Sequence, residues 1–155
     1  MANYFLDSSA IVKHYQAEVG TAEVDRVLNE SNSRHFIALL AVVEVQSAFV
    51  GKAREGHLSL AELDAVRQQF LDDITQRRFQ VVRMNDFHYR QAARLMRQYG
   101  PQPGQPRLRT LDALQLAVAL EVRQQTQLDA FVSADEDLCS AAASEQLVVF
   151  NPTRP

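Results

Sequence analysis

Four carboxylate residues, far apart in this 155-residue chain, stand where they could act together. Asp7 directly follows the apolar run YFL, and Asp135 follows the run AFVSA. Glu44 interrupts the apolar stretch ALLAVVEVQSAFV, and Asp112 lies near the start of TLDALQLAVAL. An ionised carboxylate among apolar side chains is costly unless a partner or a cation balances its charge. These four acids are therefore candidates for a shared cation site.

A group of carboxylates favours a hard divalent cation such as Mg²⁺ or Mn²⁺, which prefers oxygen ligands. A cation held in this way supports phosphodiester hydrolysis, because it activates water and stabilises the leaving oxygen. We therefore predict that Asp7, Glu44, Asp112 and Asp135 are the catalytic and metal-binding residues. The hydroxyls of Ser8 and Ser133, close to two of the acids, are predicted to orient the carboxylates. Plain capping or turn roles for these serines remain equally open.

Each acid also has a purely structural explanation. Asp7 and Asp135 could each cap the helix that follows a strand, which is a common use of aspartate. Asp112, in the first turn of a helix, is favourable for the helix dipole. Glu44 could extend its side chain to solvent. The metal-site hypothesis depends on the four acids meeting in space.

The surrounding elements decide whether they meet. Short apolar runs, which predict strands, alternate with longer segments of helical spacing. The predicted strands are NYFLD, HFIAL, FQVVRM, the run before Asp135, and LVVF. The predicted helices cover 9–16, 18–30, 41–55, a segment capped by Ser59, 86–99, a segment capped by Thr110, and a last one from Asp135. In the Ser59 segment, apolar residues recur at helical spacing: Leu60, Leu63, Phe70, Leu71 and Ile74.

This alternation predicts an α/β fold, a three-layer α/β/α arrangement with a central parallel sheet of about five strands. Parallel sheets of this kind bind ligands outside the carboxyl ends of their strands. Asp7 and Asp135 follow two such ends. Asp112 begins a helix that is apolar nearly all round, so we expect that helix to be buried and its first turn to face a crevice.

Composition limits the class of protein. A chain of 155 residues, 46% hydrophobic and 23% charged, suits a single soluble domain spanning 1–155. The apolar run 36–43 is far shorter than the roughly 20 residues of a membrane span. The opening MANYFLD has neither a basic nor a long apolar region, so we expect no secretory signal and a cytoplasmic location. The single cysteine, Cys139, excludes an intramolecular disulfide and a cysteine metal cluster.

Charge alone does not identify a nucleic-acid-binding protein, because the formal net charge is −3. Arginines are nevertheless concentrated between positions 77 and 109. They form either a solvated face or a phosphate-facing patch. The eight are Arg77, Arg78, Arg83, Arg90, Arg94, Arg97, Arg107 and Arg109.

Four blocks of the sequence, in the same order and at similar spacing, resemble the motif blocks of the PIN-domain family: FLDSSAIVKHY, ALLAVVEVQSAF, LRTLDALQLAVAL and FVSADEDL. The similarity covers essentially the whole chain and is closest to VapC-type toxins of bacterial toxin–antitoxin pairs. It implies a Mg²⁺- or Mn²⁺-dependent endoribonuclease whose acidic site is Asp7, Glu44, Asp112 and Asp135, and whose product carries a 5′-phosphate. Asp137 resembles an accessory acid of some members and is an optional fifth ligand.

The resemblance also implies partners. They are an RNA substrate, a VapB-like or other antitoxin that folds over the active site, and a second copy of the chain in a homodimer. Arg109 and Lys13 are predicted to contact the RNA backbone, although a surface role for either remains open. The chain departs from the small toxins in the long, arginine-rich stretch before Asp112.

Two other functions are compatible with part of this pattern. A HAD-type phosphohydrolase also places an aspartate after its first strand, but it needs a second aspartate two residues later, where this chain has Ser9. A catalytically idle PIN-like scaffold that binds RNA or protein would be marked by the loss of an acidic ligand, and all four acids are present. Metal-dependent activity separates these classes.

Overall fold

The computed structural model, which describes residues 1–154, contains five strands separated by one or two helices, seven helices in all. The predicted domain 1–155 ends one residue outside that range. In chain order the elements are β1 Ala2–Leu6, α1 Ser8–Tyr15, α2 Thr21–Leu28, β2 Ser33–Ala38, α3 Ala41–Arg54, α4 Leu60–Thr75, β3 Gln80–Val82, α5 Asp86–Gln98, α6 Thr110–Gln125, β4 Ala130–Val132, α7 Glu136–Ser144 and β5 Val149–Phe150.

The strands form one sheet in the order β3-β2-β1-β4-β5, and every pairing is parallel. The predicted fold class is therefore confirmed. β1 lies at the centre, and its last residue, Leu6, pairs with Val132 at the end of β4. Asp7, which follows Leu6, consequently lies beside the residues that follow β4.

Hydrophobic cores cover both faces of the sheet. Side chains alternate along a strand, so neighbouring residues of β1 enter different cores. Phe5 packs with Phe131 and the apolar residues of α6 on one face. Leu6 packs with Val132 and with α1, α2 and α3 on the other. Because both faces are covered, β4 is apolar throughout and β1 is apolar except for Asn3, as expected for a parallel sheet. β2 is apolar only in its second half, after Ser33, Arg34 and His35.

Helix starts differ from the sequence predictions in specific places. Ser59 caps α4 as predicted, in a reciprocal capping box with Glu62. The prediction for Thr110 was wrong: Thr110 is the first residue inside α6, and Arg109 holds the cap position in extended conformation without a side-chain cap bond. Of the apolar residues at helical spacing in α4, Phe70 is fully buried, whereas Leu60 at the first position is 78% exposed. α6 is buried along most of its length, as expected.

The second helix is shorter than the predicted 18–30. Gly20 precedes it with a left-handed φ of +96°, a conformation that favours glycine. The backbone therefore cannot continue a helix through this position. Within residues 1–154, no helix combines the length and the apolar character needed to cross a bilayer.

Candidate active site

A cleft of about 340 Å³ opens at the carboxyl ends of β1 and β4. All four predicted acids line it, so the structure brings Asp7, Glu44, Asp112 and Asp135 together around one cavity. The other lining residues are Ser8, Ser9, Val12, Lys13, Glu18, Ala48, Arg109, Gln115 and Ala134. The cleft lies where open parallel sheets bind ligands.

Asp7 is the most deeply buried of the four acids, with 4% of its surface exposed. One carboxylate oxygen caps α1 by accepting from the backbone N–H of Ala10 at 3.0 Å. Ser9 Oγ lies 2.8 and 3.0 Å from the two oxygens, and Ser133 Oγ donates to one of them at 3.1 Å. Burial raises the pKa of Asp7 to about 7, although these hydrogen bonds oppose the shift. Asp7 is thus both a cap and a lining residue of the cleft.

Glu44 stands in the first turn of α3 and is partly buried. Its Oε1 accepts from the Gln115 amide at 2.9 Å and from Ser8 Oγ at 3.2 Å. The Gln115 amide also donates to Ser8 Oγ at 2.8 Å, which closes a triangle between α1, α3 and α6. Burial raises the pKa of Glu44, and Asp112 raises it further by charge repulsion, while the two hydrogen bonds lower it.

Asp112 and Asp135 share one cation, the guanidinium of Arg109. Arg109 Nε donates to Asp112 Oδ2 at 2.8 Å, and Nη2 reaches Asp135 Oδ2 at 3.4 Å. Asp135 also caps α7 through the backbone N–H of Leu138 at 2.9 Å. Asp112 is nearly buried and repels Asp7 and Glu44 electrostatically. The arginine therefore neutralises part of a crowded acidic cleft.

Lys13, the second basic residue of the cleft in the part of the chain described, is already paired. Its ammonium lies 3.2 Å from Glu18, which also pairs with Lys52 at 3.0 Å. These two lysines lower the pKa of Glu18 against the opposing effect of its burial. Its side chain is 11% exposed against 64% for Arg109, so Lys13 is less accessible to a new anion.

The remaining predicted residues lie elsewhere. Asp137 is exposed in the first turn of α7 and is outside the lining of the cleft. Of the eight arginines, Arg109 lines the cleft. Arg78 pairs with Asp73 at 3.8 Å and Arg94 pairs with Glu145 at 3.2 Å, both away from it. The arginine-rich stretch is thus divided among several surfaces.

Sequence reasoning missed three features of the cleft. Ser9 binds Asp7 and also accepts from the backbone N–H of Ala134 at 2.9 Å, which ties the two strand ends together. Gln115, 2% exposed, orients Glu44. The pairing of Arg109 with two acids was not foreseen either. A polar Gln115 one turn after Asp112 in an apolar helix was the available signal.

The donor set fits a hard divalent cation. Carboxylate oxygens of four acids line the cleft, and Gln115 Oε1 is buried without a hydrogen-bond partner in the described chain. An orphan acceptor of this kind matches a site that also holds water. Within residues 1–154, however, no three Asp, Glu, His or Cys side chains are already arranged to hold a metal ion. The four acids line one cleft, but their carboxylates are not close enough together to coordinate one ion without rearranging.

Comparison with known proteins gives one family match. The model of the PIN domain family matches residues 4–144, which is most of the chain. A search of curated protein sequences found no match.

Solved structures share the fold at low sequence identity. FitAcB from Neisseria gonorrhoeae is 16% identical with a TM-score of 0.66, covering 98% of this chain and 99% of that one. VapC20 from Mycobacterium tuberculosis, described as a sarcin-ricin loop cleaving toxin, is 14% identical with a TM-score of 0.63, covering 94% and 96%. A toxin–antitoxin complex from Klebsiella pneumoniae is 15% identical with a TM-score of 0.62, covering 96% and 97%.

Proposed function

The chain belongs to the PIN-domain family, and on that premise we propose that it is a Mg²⁺- or Mn²⁺-dependent endoribonuclease, the toxin of a toxin–antitoxin pair. The observation that carries this proposal is the meeting of four acids, from four separate parts of the chain, around one cleft. Such a concentration of negative charge at a ligand-binding edge is unfavourable for the fold alone. A bound divalent cation would neutralise this negative charge.

Asp7, Glu44, Asp112 and Asp135 would hold the cation in this proposal. When bound, the cation would activate water and neutralise charge on the phosphate and on the leaving oxygen. Ser9 and Ser133 fix the Asp7 carboxylate by donating to it, and Ser8 and Gln115 do the same for Glu44. Such outer hydrogen bonds orient ligating carboxylates.

The RNA backbone would lie across the open side of the cleft. Arg109, whose side chain is 64% exposed, is the better placed of the two predicted contacts. Lys13 would first have to leave Glu18. Hydrolysis would release the 3′-oxygen and leave a 5′-phosphate.

The proposed partners follow from the relatives. Structures with this fold include a toxin–antitoxin complex and VapBC2 of Rickettsia felis bound to a promoter DNA fragment. We extend to this chain a VapB-like or other antitoxin that covers the cleft, and a homodimer.

Cleavage of total bacterial RNA by the purified, partner-free protein tests the function. The reactions would contain Mg²⁺, Mn²⁺ or EDTA, with wild type, Asp7→Asn and Asp64→Asn. Asp64→Asn is the matched control, because Asp64 is exposed on α4, away from the cleft. We expect discrete fragments with wild type and with Asp64→Asn, and none in EDTA. Asp7→Asn should cleave at least about 100-fold more slowly than wild type, the usual effect of losing a catalytic group.

Three other results would contradict the proposed nuclease or its site. A folded protein that leaves RNA intact with both metals would overturn the nuclease proposal in favour of an idle scaffold. Cleavage that survives Asp7→Asn would show that Asp7 is not essential or that a contaminant is active. Equal loss in both variants would indicate a general charge effect instead of a site.

A further inference from the structure

Arg109 occupies the acidic cleft with its own guanidinium. It reaches Asp112 through Nε at 2.8 Å and through Nη2 at 3.5 Å, and the same Nη2 lies 3.4 Å from Asp135. Its charge also opposes the burial that raises the pKa of Glu44. One arginine therefore contacts two of the four acids and acts on a third through its charge. These are the acids that we assign to the cation.

The cleft contains more acidic than basic side chains, so the positive charge of Arg109 matters for its stability. Among the described residues, five acids and two basic residues line the cleft. The second basic residue, Lys13, is held by Glu18. Arg109 is thus the main positive charge available to the acids in the metal-free protein. Guanidinium and carboxylate form the strong, directional pairs that such a role needs.

The arginine is also free to leave. Its side chain is 64% exposed, and its backbone holds the cap position of α6 without a side-chain cap bond. An ion pair that includes a largely exposed arginine contributes little stability, and the buried Asp112 carboxylate needs only that some cation stays beside it. An incoming cation could therefore replace the guanidinium without disturbing the helix or the core.

We propose that Arg109 is an internal counter-ion that a divalent cation displaces from Asp112 and Asp135. This inference rests on the proposed function, since it assigns the same acids to the metal. Two positive charges at the same oxygens repel each other, so the cation and the guanidinium compete. Arg109 consequently weakens metal binding in the absence of RNA. Once displaced, its donors are available to a phosphate of the RNA backbone.

Titration with Mn²⁺ alone, in calorimetry without RNA, tests this competition. The variants are Arg109→Gln and the control Arg107→Gln. Arg107 is exposed two residues earlier, forms no ion pair within residues 1–154 and is outside the lining of the cleft. It therefore measures the general effect of removing one nearby positive charge. Circular dichroism checks that each variant is folded.

We expect Arg109→Gln to bind Mn²⁺ about three- to tenfold more tightly than wild type, from the typical strength of ion pairs made by an exposed arginine. Arg107→Gln should change the affinity less than twofold. Mn²⁺ binding by Arg109→Gln alone, with none by wild type, would support the competition even more strongly. In the presence of Mn²⁺, Arg109→Gln should also bind a non-cleavable RNA analogue more weakly.

Failure of the inference differs from failure of the proposed function. If wild type binds Mn²⁺ and Arg109→Gln binds it equally or more weakly, Arg109 is not a competitor, although the metal site stands. If Arg107→Gln tightens binding as much, the effect is general charge, and the inference is again overturned. If neither wild type nor Arg109→Gln binds Mn²⁺, both proposals fail.

Discussion

At the scale of single residues, Asp7 combines two roles that sequence reasoning had left as alternatives. It caps α1 and it lines the cleft. The two roles use the same carboxylate, but they differ in what they need from it. Capping needs an oxygen acceptor, whereas cation binding needs the negative charge. Asp7→Asn keeps an oxygen for the Ala10 N–H and removes the charge, so it separates the roles.

Asp7→Asn should stabilise the metal-free protein at neutral and basic pH. Burial raises the pKa of Asp7 from 3.8 to about 7, so the folded state holds a proton that the unfolded state has lost. Wild-type stability therefore falls as pH rises from about 4 to about 7, and this effect is constant above pH 7. Near pH 8 the variant should be more stable by about 2–4 kcal/mol. Near pH 4 the two proteins should be similar.

Urea unfolding in EDTA between pH 4 and pH 8 measures this difference. Asp64→Asn, which alters an exposed acid, should follow the wild-type curve. Parallel curves for wild type and Asp7→Asn would contradict the raised pKa. An Asp7→Asn protein that is weaker at every pH would show that Asn cannot replace Asp in its hydrogen-bond network.

At the scale of elements, α6 is the helix that joins the site together. It carries Asp112 in its first turn and Gln115 one turn later, and Gln115 contacts Ser8 on α1 and Glu44 on α3. A single buried amide therefore connects three helices at the cleft. Its position on an otherwise apolar, buried helix fixes where Glu44 points.

Gln115→Met should lower both stability and metal affinity. Methionine has a similar volume, so the main loss is the hydrogen bonding to Glu44 and Ser8. We expect a loss of about 1–3 kcal/mol at pH 8, because Glu44 would stay partly buried without its donor. Mn²⁺ should bind several-fold more weakly, since Glu44 is no longer oriented. Chemical denaturation and calorimetry measure the two effects.

Gln124→Met provides the control, because Gln124 lies on the exposed end of the same helix. It should change neither quantity. An unchanged stability in Gln115→Met would mean that water replaces the lost amide at no net cost. An unchanged Mn²⁺ affinity would remove the positioning role from Gln115.

At the scale of the whole molecule, one sheet separates two cores that share its strands. Phe131 is fully buried in one core, and Phe70 is fully buried in the other. β1 contributes Phe5 to the first core and Leu6 to the second, so we expect the two cores to be lost together. We therefore propose that the chain unfolds as a single domain.

Phe131→Leu and Phe70→Leu should each lower the midpoint of one common unfolding transition. The expected loss is about 1–2 kcal/mol for each, the usual range for a buried side chain made smaller. Tyr89→Leu, at an exposed position on α5, should lose less than about 0.5 kcal/mol. Far-ultraviolet and near-ultraviolet circular dichroism should give coincident curves. Two separate transitions would contradict the single-domain proposal.

The sequence by itself determined the parallel α/β fold and the identity of the four acids in the cleft. These features depend on local signals: apolar runs, helical spacing and acids at strand ends such as Asp7 and Asp135. Ser59 was predictable for the same reason, because a capping box spans only four residues. The error at Thr110 shows the limit of that signal, since Arg109 took the cap position although its side chain makes no cap bond.

Only the tertiary structure decided which side chains meet. Gln115 binds Ser8 and Glu44 across 107 and 71 residues of sequence, and Arg109 reaches Asp135 across 26. Such contacts depend on the order β3-β2-β1-β4-β5 and on how the helices pack over it, and no periodic pattern in the sequence records them. Burial, which raises the pKa of Asp7, is likewise a property of the packed molecule. The residue types determine which chemical groups the chain can offer, and the packing determines which of those groups meet in the cleft.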